Sequence, residues 1–167
     1  ELYDLTQTMT REAGLPAYEI SNHARAGEES RHNLTYWRYQ DYCGIGPGAH
    51  GRRGGFATVR HKKPENFLNA VRERRHGISE QISLSVDEQA SEALLMGLRL
   101  VEGIDLAALE ARFGIPRWSM VSEAALARYA DLGFVWRRGD RIGVEPKGMG
   151  VLNSLIEALV ADELMAI

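Results

Sequence analysis

The sequence predicts a mixed fold, an α/β segment followed by an α+β segment, on three observations. In the first half, short alternating or apolar runs (17–21, 42–46 and 55–60) interleave with helical spacing, as at the end of an α/β unit. In the second half, three helical patterns precede a strand–turn–strand signal and a closing helix, which is the order of a winged-helix module. The change of grammar falls between Ile78 and Val86.

Leu2, Leu5 and Met9 recur at helical spacing, and the helix they predict should stop at Gly14, with Pro16 unable to continue it. Ala17–Ser21 alternates as a short strand, whereas 22–38 is polar and without period, an exposed loop around a helical turn. Tyr42–Gly46 reads as a buried strand running into Pro47-Gly48-Ala49-His50-Gly51, and Gly55–Arg60 as the next strand. Pro64 opens a helix over Phe67, Leu68, Val71 and Arg74 that should end near Gly77.

Ser85 followed by Glu88 is a capping box for a helix whose apolar face is Ala90, Leu94, Leu95, Leu98 and Leu100. Leu106–Phe113, closed by Gly114, and Trp118–Leu132, closed by Gly133, are the next helices. Phe134–Arg137 and Arg141–Val144 form a hairpin around 138–140, and a last helix runs from about Lys147 to Asp162.

Composition narrows the function. The 20 basic and 23 acidic residues leave a net charge of −3, which gives no global attraction to nucleic acid or anionic membrane. No apolar run approaches the ~18 residues of a membrane span. The single cysteine excludes an internal disulfide, and the N-terminus lacks a signal pattern, so a soluble protein of the reducing cytoplasm is expected. The chain starts at Glu1, inside a helical pattern and without Met, so an upstream segment is expected.

Within Ser30–Trp37, His32 offers an imidazole for a metal, a haem iron or a proton; Asn33 can hold a polar edge; and Tyr36 and Trp37 present faces suited to a macrocycle. On the residues alone, the stronger reading is that the rings pack the loop while His32 and Asn33 cap backbone groups. The Gly44–Gly51 run has neither the Lys-Ser/Thr ending of a P-loop nor dinucleotide-fingerprint spacing, and by spacing alone it is a tight turn. Tyr18, Glu19 and Asn22 sit at a strand end, where site residues often appear, Glu19 being readable also as solvent-facing. Cys43 reads as a small buried hydrophobe, and His23, His61 and His76 as surface residues without zinc-ligand spacing. Arg137, Arg138 and Arg141 decorate the wing as in a winged-helix DNA-binding regulator, yet the would-be recognition helix around 119–128 carries one Arg and an acidic residue, poor equipment for reading a groove.

Together, Gly14–Asn22, His32-Asn33-Leu34-Thr35-Tyr36-Trp37 and Gly44–His50 resemble, in order and spacing, the oxygen-independent coproporphyrinogen III oxidase-like family of radical S-adenosylmethionine (SAM) proteins. The H-N-x-x-Y-W pattern is similar to its haem-chaperone, HemW-like branch. The resemblance covers the whole chain, most strongly up to about Gly51. It implies that residues 1–78 are the C-terminal remnant of a radical SAM partial (β/α) barrel and 79–167 a winged-helix-like small domain. It implies haem binding by His32, Asn33, Tyr36 and Trp37, with His32 as the iron ligand, and places Gly46, Gly48, Ala49 and His50 near SAM or the tetrapyrrole.

The longer protein would hold a [4Fe–4S] cluster and SAM, but three thiolates are needed and Cys43 is the only one here. This chain alone is therefore expected to have no radical chemistry and to contain no catalytic residue. The favoured reading is haem binding and delivery to a haem-acceptor protein. The alternative is coproporphyrinogen III oxidation, in which a SAM-derived radical abstracts hydrogen from a propionate and decarboxylation leaves a vinyl group. Where the family is usually aromatic after Ser21-Asn22, this chain has His23. Severed barrel edges lead to the further expectation of a homodimer of the fragment.

Overall fold

A computed structural model describes residues 2–161 and Leu164, and these divide into two compact units, 1–39 with 90–167, and 40–89. In the smaller unit, β1 (His50–Arg53), β2 (Phe56–Arg60) and β3 (Ile78–Ser83) form an antiparallel sheet in the order β1-β2-β3. β1 and β2 turn through Gly54 and Gly55, both at positive φ (58° and 77°), the condition for a two-residue hairpin matched to strand twist. Between β2 and β3 runs a helix, Pro64–Arg74, with Pro64 in its first turn.

The larger unit begins with α1 (Leu2–Glu12), which closes at Gly14 (φ 75°), and α2 (Arg31–Trp37). Numbered in chain order, Pro64–Arg74 is α3 and is followed by α4 (Val86–Gly97), whose first turn belongs to the smaller unit and the rest to the larger. Then come β4 (Ile104–Asp105), α5 (Leu106–Phe113), a 3-10 turn (Arg117–Ser119), α6 (Glu123–Asp131), β5 (Val135–Arg138), β6 (Arg141–Val144), α7 (Pro146–Met149) and α8 (Leu152–Leu159). The second sheet is antiparallel in the order β4-β6-β5. Its core gathers Leu94 and Leu98 from the α4 region, Leu106, Met120, Leu126, Ile142 and Leu159, all at most 2% exposed.

Local chemistry explains the boundaries. The Ser85 amide donates to Glu88 Oε2 (2.6 Å) and the Glu88 amide to Ser85 Oγ (3.1 Å), the reciprocal box that starts α4. Asp105 caps α5 by accepting from the Ala108 amide, and Ser122 caps α6 from Ala125. Trp136 lies across Gly143, where a Cβ would come within 2.3 Å of its ring, so the sheet admits only glycine there.

Several expectations are corrected. Both sheets among the described residues are antiparallel, where an α/β unit implies parallel strands. Ala17–Ser21 forms only isolated bridges, Ala17 to His23 and Glu19 to Leu100. Tyr42–Gly46 is not a buried strand: Tyr42 makes one bridge, to Arg52, and Ile45 is 91% exposed. Cys43 is exposed rather than a small buried hydrophobe. α3 ends at Arg75 in the left-handed region, and Gly77 is needed instead because the Phe67 ring packs where its Cβ would be.

The third helix of the second half starts at Glu123 rather than Trp118; the 3-10 turn and the Val121–Val160 bridge occupy the difference. The closing helix is broken into α7 and α8 around Gly150 and Val151, and Asp162, its expected end, lies outside the described residues. β3 and β4 were not foreseen, being short and weakly alternating.

Leu94→Ala should cost about 2–5 kcal/mol, since a fully buried leucine leaves a cavity. Leu132→Ala, at a 49% exposed side chain, should stay within about 0.5 kcal/mol. Urea denaturation of both variants checks this, and equal losses would contradict the core assignment.

Candidate functional site

Helix α2 exists because Ser30, with extended backbone, accepts from the Asn33 amide (3.4 Å) at its start. Its helical spacing splits the H-N-x-x-Y-W residues into two i,i+4 pairs on adjacent faces. One pair is His32 and Tyr36, whose rings meet edge-on with centroids 4.7 Å apart; His32 is exposed and Tyr36 half-buried. The other is Asn33 and Trp37. Asn33 Nδ2 donates to Tyr18 Oη (3.0 Å), and the Arg99 guanidinium sits 5.9 Å from the centroid of the half-buried Trp37 ring.

The segment behind α2 is tied down. Arg38 makes a two-pronged contact with Glu102 (2.8 and 2.9 Å), and those hydrogen bonds hold its guanidinium above the ordinary arginine range. Trp37 lines one cavity of about 490 Å³ with Leu95, Met96 and Arg99, and a second of about 210 Å³ with Arg38 and Tyr39; His32 lines neither. An exposed imidazole with one ring neighbour can bind a metal or haem iron from solvent, whereas Asn33 and Trp37 are engaged within the fold.

Gly46, Gly48, Ala49 and His50 lie in the smaller unit, not in the unit that carries α2. The Gly48 amide donates to His61 O (2.9 Å) and the Ala49 amide to Gly46 O (3.4 Å), so both are used in shaping the turn that leads into β1. Gly44 is buried, and a Cβ there would meet His50 O at 2.2 Å; the requirement for glycine arises from backbone approaching backbone. Arg60 Nε closes the loop by donating to Gly44 O (2.6 Å).

Of the other histidines, His23 is half-buried and its Nε2 lies 3.4 Å from Gln7 Oε1, His61 contacts Arg74, and His76 accepts from the Ile78 amide. Among the described residues no group of three or more His, Cys, Asp or Glu side chains could hold a metal ion. Among them also, no helix is long and apolar enough to cross a membrane. Glu19, which the sequence left open between a site residue and a solvent-facing one, is 1% exposed.

Comparison with known proteins places this geometry. Residues 84–151 match the family model described as the HemN C-terminal domain. The heme chaperone HemW of Bacillus subtilis is 34% identical over 114 residues, 68% of this chain and 30% of that protein. HemW of Mycobacterium tuberculosis (strain ATCC 25618 / H37Rv) is 31% identical over 158 residues, 95% of this chain and 38% of that protein. The bovine mitochondrial radical S-adenosyl methionine domain-containing protein 1 is 41% identical over 112 residues, 62% of this chain and 25% of that protein. The chain thus spans well under half the length of these relatives. The solved structure of Escherichia coli coproporphyrinogen III oxidase (HemN), described as a radical SAM enzyme, superposes with a TM-score of 0.69 at 17% identity, covering 93% of this chain and 39% of that one; at such identity the likeness is one of fold.

Tyr18→Phe removes the acceptor of Asn33 Nδ2 and should cost about 0.5–1.5 kcal/mol. Amide exchange in α2 should quicken with it, and unchanged exchange would show that this bond does not hold the helix.

Proposed function

Because the chain belongs to the HemN/HemW-like family of radical SAM proteins, matching its C-terminal portion, we propose that it is the part of a haem-carrying protein that binds haem and helps deliver it to an acceptor protein. The observation that carries this reading is the exposed His32 imidazole on α2, with the Tyr36 ring edge-on beside it. Neutral imidazole is a common axial ligand of haem iron. His32 would ligate the iron and Tyr36 would lie against the macrocycle, while Asn33 and Trp37 hold the helix that presents them.

The iron–sulfur cluster does not fit this chain's residues. Three thiolates are required, and Cys43 is the only cysteine. No step is assigned here to the cluster or to SAM, which belong to the longer protein; Gly46, Gly48, Ala49 and His50 would lie near SAM or the tetrapyrrole there. In that setting residues 1–78 would form the end of the barrel and 79–167 a winged-helix-like domain, for which the β4-β6-β5 order behind α4, α5 and α6 is the support. Residues 1–39 share a compact unit with 90–167, while 40–89 form the other. The lone cysteine favours a reducing compartment such as the cytoplasm, and exposed residues along β3 support association of two copies through that edge.

Oxidation of coproporphyrinogen III is the second reading, supported by the HemN fold. A DNA-binding role is disfavoured by the wing itself. Arg137 pairs with Glu123, Arg117 with Asp140 and Arg141 with Asp105, and Arg138 stacks on Trp136, which spends this cationic surface within the protein.

Titration with haemin followed at the Soret band tests the proposal. His32→Ala should weaken binding by about tenfold or more, consistent with loss of an axial ligand, whereas His76→Ala should leave it unchanged. Equal Soret shifts in wild type and His32→Ala would remove His32 as ligand and favour the oxidase reading. Light scattering that shows monomer at every concentration would remove the dimer.

A further inference from the structure

Glu19 is the most deeply buried charged residue among those described, 1% exposed. Its Oε1 accepts from the Ser21 amide (3.2 Å) and hydroxyl (3.3 Å), while Oε2, a buried atom, has no partner among the described residues. The backbone fixes it there: Glu19 bridges Leu100, and the Val101 amide donates to Tyr18 O (3.1 Å). A buried carboxylate oxygen without a donor is costly, so such a group calls for an explanation.

Glu19 lines a cavity of about 570 Å³ walled by α1, the 16–19 strap, Val101 and the start of α7. That volume is of the size small molecules occupy. Much of the wall is apolar, from Pro16, Ala17, Val101, Val144 and Met149. The remaining charges around it are Asp4 and Arg11 on α1 and Lys147 on α7. Lys147 is engaged elsewhere: its Nζ donates to Leu132 O (3.2 Å) and lies 4.6 Å from the Phe134 ring centroid. The Tyr3 hydroxyl, also on the wall, has its pKa raised by burial and then by the negative charges of Asp4 and Glu19.

We propose that this cavity binds a small organic cation, with an ammonium or amidinium group donating to Glu19 Oε2 and an apolar body against Val101, Val144 and Met149. A charge-assisted bond from such a group satisfies the orphaned oxygen, and a planar amidinium suits a carboxylate in particular. The residues involved are separate from those of α2, so this inference stands or falls independently of haem binding.

The test uses benzamidine and its neutral counterpart benzamide, titrated into the full chain while the methyl resonances of Val101, Val144 and Met149 are followed. Benzamidine should shift them saturably, and benzamide should bind about tenfold or more weakly, because only the former carries the charge. Glu19→Gln should abolish the preference for benzamidine. Should that variant fail to fold by circular dichroism, Val101→Trp decides instead: it fills the cavity from a residue 47% exposed and should block benzamidine with Glu19 intact. Equal binding of the two probes, benzamidine binding unchanged in Glu19→Gln or Val101→Trp, or no saturable shift would overturn the proposal; the last would leave a buried water as the donor to Oε2.

Discussion

The position of the candidate helix rests on one side chain, Tyr39. It lies just past α2, is 6% exposed, and joins the same apolar cluster as Leu94, Leu98, Leu106 and Leu109. Its hydroxyl donates to Glu92 on α4, its ring meets Phe113 edge-on with centroids 6.3 Å apart, and the Arg112 guanidinium sits 5.3 Å above it. The backbone there is left-handed (φ 50°), a conformation a bulky residue adopts only when its surroundings impose it. A segment of polar, aperiodic sequence is thereby anchored to a core made almost wholly by residues beyond position 89.

From that anchor the neighbouring contacts follow. With Tyr39 seated, Arg38 is directed to Glu102, Trp37 to the Arg99 side of α4, and Asn33 to Tyr18. Each contact alone contributes little, surface ion pairs and exposed ring–cation contacts being worth about 0–1 kcal/mol. Their joint effect is to fix the helix in orientation, which is what a presented ligand requires.

How far the sequence disclosed this depends on whether the signal was local. The capping box at Ser85 and Glu88, the stops at Gly14 and Gly114 and the hairpin around Gly139 are each written within a few residues, and all were legible. The burial of Glu19, the exposure of Cys43 and the need for glycine at 44, 77 and 143 depend on partners distant in sequence, such as Leu100, Phe67 or Trp136. Periodicity does not encode those meetings. The two-residue β4 carries no pattern long enough to detect, and it is paired only because β6 supplies an edge for Ile104 and Asp105. In the candidate site the motif was legible as a cluster of chemistry-bearing types, but its division into an outward and an inward pair was not, since that depends on the helix register set by Ser30 and on what Tyr39 does afterwards.

That division bears directly on what α2 can do. A group that holds a cofactor permanently is normally enclosed, so that the cofactor's apolar surface stays out of water. His32, exposed on a short helix, offers a ligand without an enclosure. On the proposed reading, His32 would hold the iron from an accessible position that an acceptor protein could approach. Asn33 and Trp37 are engaged with Tyr18 and Arg99 on the adjacent face, so the helix is held by contacts that do not involve His32. The proposed carrier role would need both an exposed ligand and a held support, and on this seven-residue helix the exposed His32 and the engaged pair fall on adjacent faces.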